Sequence, residues 1–298
     1  MERKTRRSPL SLFYNQKIGI KILAGYAVAF LLTAIVGGLA IYQFEQVSLT
    51  INRLTGGLVL RRNLAEGIAI QIHLVRIYAD QYIYQGQNPA DLEAYNHALG
   101  DAQVLMNEAD QVNAQTDCAE LQMQVRKDFN RFAASFAEIV QLLAARQSTV
   151  NDVLIPQGAI SVEKLAALRN NSYEILDFTT AHYASQARDT FSQMQVNVTQ
   201  YLATGNTQYA NQVDANYASI ISTFDLLQAS VRDNASSSLL NEIEIAATAY
   251  YQGFQNARAG VARQHELTST QLDILGPAIV NNTTAIADDV NAEFTGSG

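Results

Sequence analysis

An uncharged apolar stretch near the start of the chain limits what this sequence can fold into. Residues 22–42 (ILAGYAVAFLLTAIVGGLAIY) contain no charged side chain. As a helix rising 1.5 Å per residue, this segment would be roughly 30 Å long, which is the thickness of the hydrocarbon core of a bilayer. We therefore predict a transmembrane helix over residues 22–44, and no later stretch is apolar enough to cross a membrane again.

The charges on either side of this stretch predict its orientation. Residues 1–21 carry a net charge of +5, and the chain beyond them holds 14 basic and 27 acidic residues. Because basic flanks stay in the cytoplasm, residues 1–21 are predicted to be cytoplasmic and the remainder to be exported. The alternative is a cleavable signal peptide, but its apolar region would be only about 7–15 residues long and would end in small residues. The acidic excess argues against binding to nucleic acid.

The spacing of apolar residues beyond the anchor predicts an all-α protein. From Leu121 to Leu143 they recur at steps of 4, 4, 3, 4, 3 and 4 residues, and the same steps recur from Leu239 to Val261. Such spacing places one apolar stripe on one face of a helix, as in a bundle or coiled coil. Turn signals such as Gly86-Gln87-Asn88-Pro89 separate the helices. We predict helices near 45–86, 89–112, 117–181, 184–204, 207–232 and 236–294.

Two prolines fall inside the longest predicted helices. Pro156 and Pro277 each lack the N–H that an interior helical position would donate, so we predict a kink at each. The alternative for the first is a turn at Ile155-Pro156-Gln157-Gly158, which would split the third helix into two.

An internal repeat indicates how the helices assemble. Tyr82–Gly86 matches Tyr201–Gly205 at an offset of 119, and the two apolar stripes match at 118. Each repeat consists of two short helices and one long helix, and a solenoid would need at least three repeats. We therefore predict two four-helix bundles, stacked end to end and sharing the two long helices.

The sequence contains no recognisable catalytic or metal-binding motif. Gly-x-Ser-x-Gly, Gly-x-Gly-x-x-Gly, the phosphate-binding loop and His-Glu-x-x-His are all missing from the 298 residues. The four histidines form no local pair, and Cys118 is interpreted as a small residue at a helix start rather than a reactive thiol. We predict no enzymatic activity, no catalytic residue, no metal and no cofactor.

The membrane anchor and the duplicated helices resemble a known sensor family. A basic N-terminus, one membrane helix and residues 45–294 as exported helices are similar to the front half of bacterial methyl-accepting chemotaxis proteins with a helical bimodular sensor domain. Tyr-x-x-x-Gly at 82–86 and 201–205 resembles the turn of four-helix receptor bundles. Leu272–Pro277 (LDILGP) resembles a run that precedes the second membrane helix of such receptors.

This resemblance implies a function and a set of ligand-binding residues. It implies a periplasmic sensor in the bacterial inner membrane that binds a small molecule, such as an organic acid or amino acid, or a periplasmic binding protein. Arginine holds a carboxylate at two points, so arginines of the exported helices are the candidate ligand-binding residues. The resemblance points to Arg61 and Arg62 on the first helix, near the membrane. We predict a second pocket in the far bundle, formed by Arg169 and Arg188 with Tyr173 and Tyr183. A homodimer is also implied, whereas the alternative for each arginine is a surface ion pair.

The output of such a sensor is left open by the sequence. A chemoreceptor would continue into a second membrane helix and a cytoplasmic signalling hairpin, and residues 295–298 are interpreted as a linker or a truncation point. The same architecture also precedes histidine kinases, and a non-signalling anchored helical scaffold is a third alternative.

Overall fold

The chain is all-α over the part that the structure describes. The computed structural model describes the backbone of residues 18–296, together with the side chains of residues 57–295 and of nine residues between 33 and 43. The α-helices are α1 (Ile18–Tyr84), α2 (Pro89–Asn113), α3 (Ala119–Thr149), α4 (Ile155–Glu174), α5 (Phe178–Thr204), α6 (Thr207–Ser230), α7 (Asn234–Leu267) and α8 (Asp273–Gly296). The all-α prediction is confirmed.

The two turns predicted from the repeat have the same local structure. Gly86 and Gly205 adopt positive φ angles of 98° and 66°, which glycine reaches without the steric cost of a Cβ atom. Asn88 and Asn206 then cap the next helices, since their side-chain oxygens accept the N–H groups of Ala90 and Gln208 at 3.1 and 2.9 Å. We call residues 85–88 and 205–206 the inner turns.

One predicted helix boundary is wrong. The break predicted between residues 181 and 184 occurs at residues 175–177 instead, so α5 begins at Phe178. Leu176 reverses the chain there with a φ of 60°, a conformation in which glycine or asparagine is expected. Asp177 caps α5, because its Oδ1 accepts the N–H of Thr180 at 3.1 Å. The first helix is also longer than predicted, since α1 runs unbroken from Ile18.

Each long helix passes through a short π-helical segment. These segments, Val150–Leu154 and Thr268–Leu272, join α3 to α4 and α7 to α8 and lie 118 residues apart, at the offset of the repeat. The N–H of Ile155 bonds to the carbonyl of Val150, five residues back, immediately before Pro156. The chain remains helical through both prolines, so the alternative of a turn at Pro156 is wrong.

The buried residues form two separate hydrophobic clusters. The first core is enclosed by α1, α2, α3 and α8, and the second core by α4, α5, α6 and α7. The predicted stripes supply both, since Phe136 and Phe254 occupy equivalent positions in them and are 1% and 0% exposed. Three helices of each core therefore come from one repeat, and the fourth comes from the other repeat.

The predicted membrane helix lies largely outside the described side chains. Within the described ones, no helix combines the length and the apolar character needed to cross a membrane. The prediction for residues 22–44 thus stays a prediction.

Candidate functional site

Arg61, the first predicted ligand-binding residue, is buried and bonded within the protein. Its Nε donates to Asn113 Oδ1 at 3.0 Å, its Nη1 pairs with Glu293 Oε2 at 2.9 Å, and its Nη2 lies 3.3 Å from Cys118 Sγ. Arg61 is only 6% exposed, and these contacts offset the cost of removing its charge from water. We call Arg61, Asn113, Cys118 and Glu293 the arginine cluster; it joins α1, the turn between α2 and α3, and α8.

The thiol of Cys118 takes part in this cluster as a structural group. Cys118 is 1% exposed, and burial raises the pKa of its thiol although Arg61 lies nearby. Because the thiolate is the reactive form, a raised pKa supports the interpretation of this cysteine as a packing residue.

Arg62 occupies a different environment from its neighbour. Its side chain is 50% exposed and bonds to Glu66, one helical turn along, at 2.7 Å. It borders a cavity of about 90 Å³ between the first and last helices, which also contacts Leu58 and Phe294. Such a cavity is small compared with typical sites for organic ligands.

The four predicted residues of the far bundle belong to α4 and α5, around the second core. Arg169 bonds to the adjacent Asn170 at 3.0 Å, and Arg188 lies 3.5 Å from the adjacent Asp189. Tyr173 is half exposed and touches Phe178, whereas Tyr183 packs partly buried against the second core. No hydrogen bond or ion pair within the described chain joins any two of the four, and their role in binding stays a prediction.

A larger cavity lies where the two cores meet. Its volume is about 580 Å³, within the usual range for a small-molecule site. The end of α1, the inner turn at residues 205–206, Arg146 on α3 and the stretch of α7 from Val261 onward contribute its walls. We call it the junction cavity. Among the residues that line it, none is Asp or Glu, although the chain as a whole is acidic.

Arg146 is the one arginine or lysine among the residues that line the junction cavity, and it also lines a neighbouring cavity of about 340 Å³ with Thr149 and Gly260. It is partly buried, and burial lowers the pKa of its guanidinium because the charged form loses water. Its one hydrogen bond is long, from Nη1 to Gln264 Oε1 at 3.5 Å, and no carboxylate of the described residues forms an ion pair with it. A partly desolvated cation without a counter-ion favours binding of an anion.

Residues with neutral hydrogen-bonding groups line the same cavity as this arginine. They include Tyr84, Tyr201, Thr207 and Gln264, together with His265, whose side chain is exposed. Tyr201 is 3% exposed, and its hydroxyl makes a long bond of 3.5 Å to the carbonyl oxygen of Arg258. The cavity thus combines one cation with several donors that can orient a polar ligand.

In another cavity, between α1 and α2, two of the ionisable side chains on the wall pair with each other. This cavity measures about 430 Å³, and Gln71, His97 and Asp101 are among the residues on its wall. His97 and Asp101 pair at 3.2 Å, while the buried Oε1 of Gln71 has no hydrogen-bond partner. Within the described residues no cluster of three or more His, Cys, Asp or Glu side chains could hold a metal ion.

Sequence reasoning missed Arg146. The usable signal is the repeat itself, since Arg146 and its bonding partner Gln264 are 118 residues apart and occupy equivalent positions in the two repeats. A contact between equivalent positions marks the point where the two long helices run side by side.

Comparison with known proteins gives no assignment. No family model matches this sequence, and no curated protein matches it.

Proposed function

We propose that residues 45–294 form the periplasmic ligand-sensing region of a bacterial transmembrane chemoreceptor. In this proposal residues 22–44 are the anchor in the inner membrane, and the exported helices bind a small anionic molecule such as a carboxylate. Binding is passed across the membrane as a small shift of the last helix against the first.

We further propose that the helices form two four-helix bundles stacked end to end. The two separate cores support this architecture, because each is enclosed by four helical segments and both long helices contribute to both cores. The boundary between the cores coincides with the π-helical segments, since the first core reaches Leu143 on α3 and the second begins at Leu154.

The observation that carries the proposal is the pairing of the first and last helices beside the anchor. Helix α1 continues without a break from Ile18 into the first core, and α8 packs along it. The two are joined at 2.9 Å by Arg61 and Glu293, close to the end of the described chain. A displacement of α8 would therefore act directly on the helix that enters the predicted membrane segment.

Signalling requires that the ligand binds two arrangements of the helices with unequal affinity. A ligand shifts a conformational equilibrium only as far as it binds one arrangement more tightly than the other. A site between helices from both repeats would satisfy this requirement, because the proposed shift of the last helix against the first would move its walls relative to one another. Two such chains side by side would form the homodimer that the family resemblance implies.

A ligand screen of the full chain in detergent tests the proposal. We expect at least one member of a panel of C2–C6 carboxylates and amino acids to bind saturably and to raise the melting temperature, since binding to the native state stabilises it. Calorimetry gives the affinity. If the whole panel, bacterial extracts and periplasmic binding proteins are all silent, the sensing function is wrong.

Two further measurements separate the alternatives. Accessibility labelling of single cysteines introduced at exposed positions of α6 should place them outside the cytoplasmic membrane; labelling from the cytoplasm would contradict the proposal. The gene sequence beyond residue 298 distinguishes a chemoreceptor from a histidine kinase or an anchored scaffold, because each predicts a different continuation.

A further inference from the structure

We propose that the junction cavity binds a small organic monocarboxylate with an apolar body, whose carboxylate bonds to the guanidinium of Arg146. The inference rests on the ligand-sensing function proposed above and assigns its ligand to a site between the cores, where none of the six sequence-predicted residues lies.

The surroundings of Arg146 indicate that the ligand carries a negative charge. The residues that line the cavity include this arginine and no carboxylate, and its long bond to Gln264 leaves most of its N–H groups available. Arginine presents these groups as a planar fork that matches both oxygens of a carboxylate. The chain has a net charge of −8, so acidic partners for arginine side chains are plentiful elsewhere. The lack of such a partner among the described residues therefore distinguishes Arg146 from the arginines that form ion pairs. Arg263, for example, pairs with both Glu138 and Glu266.

The other residues that line the cavity indicate that the ligand also has an apolar part. Ile83, Leu202 and Val261 line the same cavity as Arg146, and Ala203 and Ala262 extend this apolar surface. A compact aromatic or branched aliphatic group would bury its surface against them, which stabilises the complex by the hydrophobic effect. Thr207, which lines the same cavity, offers a hydroxyl as a donor for a second polar atom of the ligand.

The cavity is lined by residues from both repeats, so a ligand bound there would contact both. Tyr84 at the end of α1 belongs to one repeat, and the inner turn at residues 205–206 belongs to the other. Thr268 begins one π-helical segment and also lines the cavity. π-helical turns are a frequent feature of functional sites, and an occupant of the cavity would contact one of them at Thr268.

The test is a binding titration of the full chain in detergent with benzoate, phenylacetate and isovalerate. Each is compared with its uncharged carboxamide, which keeps the shape and removes the charge. We expect saturable binding of at least one carboxylate, weakened about tenfold to a hundredfold in the amide and in Arg146→Gln. Arg131→Gln is the matched control, because Arg131 lies on the same helix, is exposed and lines no wall of this cavity.

Hydrogen exchange locates the site independently of mutation. Binding should slow amide exchange in residues 201–207 and 261–268, on the two sides of the cavity. The unliganded Arg146→Gln protein should melt no lower than the original, since the change removes a desolvated charge that has one weak partner. A loss of binding in a normally folded protein would then reflect recognition.

Two results would overturn the junction site in different ways. Carboxylate binding that survives Arg146→Gln, with protection confined to one core, would reject this site and leave the sensing function supported. Silence of these three acids, while another ligand class binds elsewhere, would reject the site in the same way. Silence across the entire ligand panel, the bacterial extracts and the periplasmic binding proteins would instead reject the sensing function itself.

Discussion

At the residue scale, Arg61 shows how the fold accommodates a charge in its interior. Arg61 is 6% exposed as a residue, and Asn113, Cys118 and Glu293 contact the three nitrogens of its guanidinium. Glu293 is 41% exposed, so water still reaches one member of the pair. The cluster therefore stabilises the junction of the first and last helices through satisfied hydrogen bonds more than through buried Coulomb energy.

Replacement of this arginine should destabilise the protein. Arg61→Met leaves the buried amide of Asn113 without its donor, which should lower the free energy of unfolding by about 2 kcal/mol. Glu293→Gln should cost less than about 1 kcal/mol, because that carboxylate is partly exposed and can bond to water. Urea unfolding of both variants in detergent measures which of them loses more free energy of unfolding. Equal losses would show that the ion pair dominates the stability of the arginine cluster.

Tyr95 illustrates the opposite case, a buried hydroxyl with no partner. Its side chain is 3% exposed, its ring centroid lies 3.9 Å from that of Phe136, and its hydroxyl oxygen makes no hydrogen bond. Burial accordingly raises the pKa of the phenol. Tyr95→Phe should therefore stabilise the protein by about 1 kcal/mol, measured as a rise in the urea midpoint.

Tyr251 provides the control for this prediction. Its hydroxyl donates to Asp214 Oδ1 at 2.9 Å, so Tyr251→Phe should lower stability by about 1 kcal/mol. The same chemical change is thus expected to have opposite signs at the two sites. A loss of stability at both would mean that the hydroxyl of Tyr95 has a partner in solution.

The residue type at each turn explains which turns could be predicted from the sequence. Gly86 and Gly205 provided the usual glycine signal, and both inner turns were placed correctly. The outer turn at residues 175–177 was misplaced because Leu176 adopts a positive φ that its residue type does not indicate. Asp177 was the one usable signal, as a helix cap, but its position in an apolar stretch concealed it.

At the element scale, we infer that the π-helical segments keep the two ends of each long helix in register. A π turn accommodates one more residue than an α turn, so the helices on either side retain the faces that they present to the cores. Gly253 lies against the first segment, and a Cβ atom there would come within 2.9 Å of Val153. The close approach of α7 shows that the widened turn is packed tightly into the protein.

Deletion of one residue from the first π-helical segment, Val150–Leu154, should be tolerated. Removal of Asn151, whose side chain is exposed, converts the π turn to an α turn and leaves the flanking stripes aligned. We expect a folded protein whose melting temperature changes by only a few degrees, observed by circular dichroism.

The matched control is deletion of Gln141, ten residues earlier in the regular part of α3. That deletion rotates the rest of the helix by about 100° and turns its apolar face away from the second core. It should abolish cooperative unfolding. Similar melting of the two deletion variants would show that the π segment has no role in register.

At the scale of the whole molecule, each core needs a helix from the other repeat. Helix α8 closes the first core and α4 closes the second, and each continues a helix that belongs to the opposite core. The two cores should therefore unfold together, because loss of either removes the support of a helix that both share.

Equivalent mutations in the two repeats test this coupling. Phe136→Ala and Phe254→Ala remove fully buried rings 118 residues apart and should each cost about 3–5 kcal/mol. In calorimetry both should shift one common transition. Two transitions, of which only one moves in each variant, would show that the cores are independent units.

The sequence predicted the all-α character and the apolar stripes well but not the junction cavity. Periodicity and the repeat are local or pairwise patterns, so the helices, the stripes and the inner turns followed from them. The junction cavity depends on residues from four separate stretches, including Tyr84, Arg146, Tyr201 and His265, that only the folded chain brings together. The exposed or internally bonded arginines were equally visible in the sequence, and nothing local distinguished Arg146 from them.

Gly205 in the inner turn and Tyr84 at the end of α1 line the same cavity, which limits how this protein can change over evolutionary time. A residue gained in that turn would alter the part of the shared cavity that Leu202 and Thr207 line. The loops at residues 175–177 and 231–233 do not line this cavity and have room to grow or shrink. Insertions and deletions among descendants of this duplicated gene should accumulate at that remote end, while the middle keeps its original length.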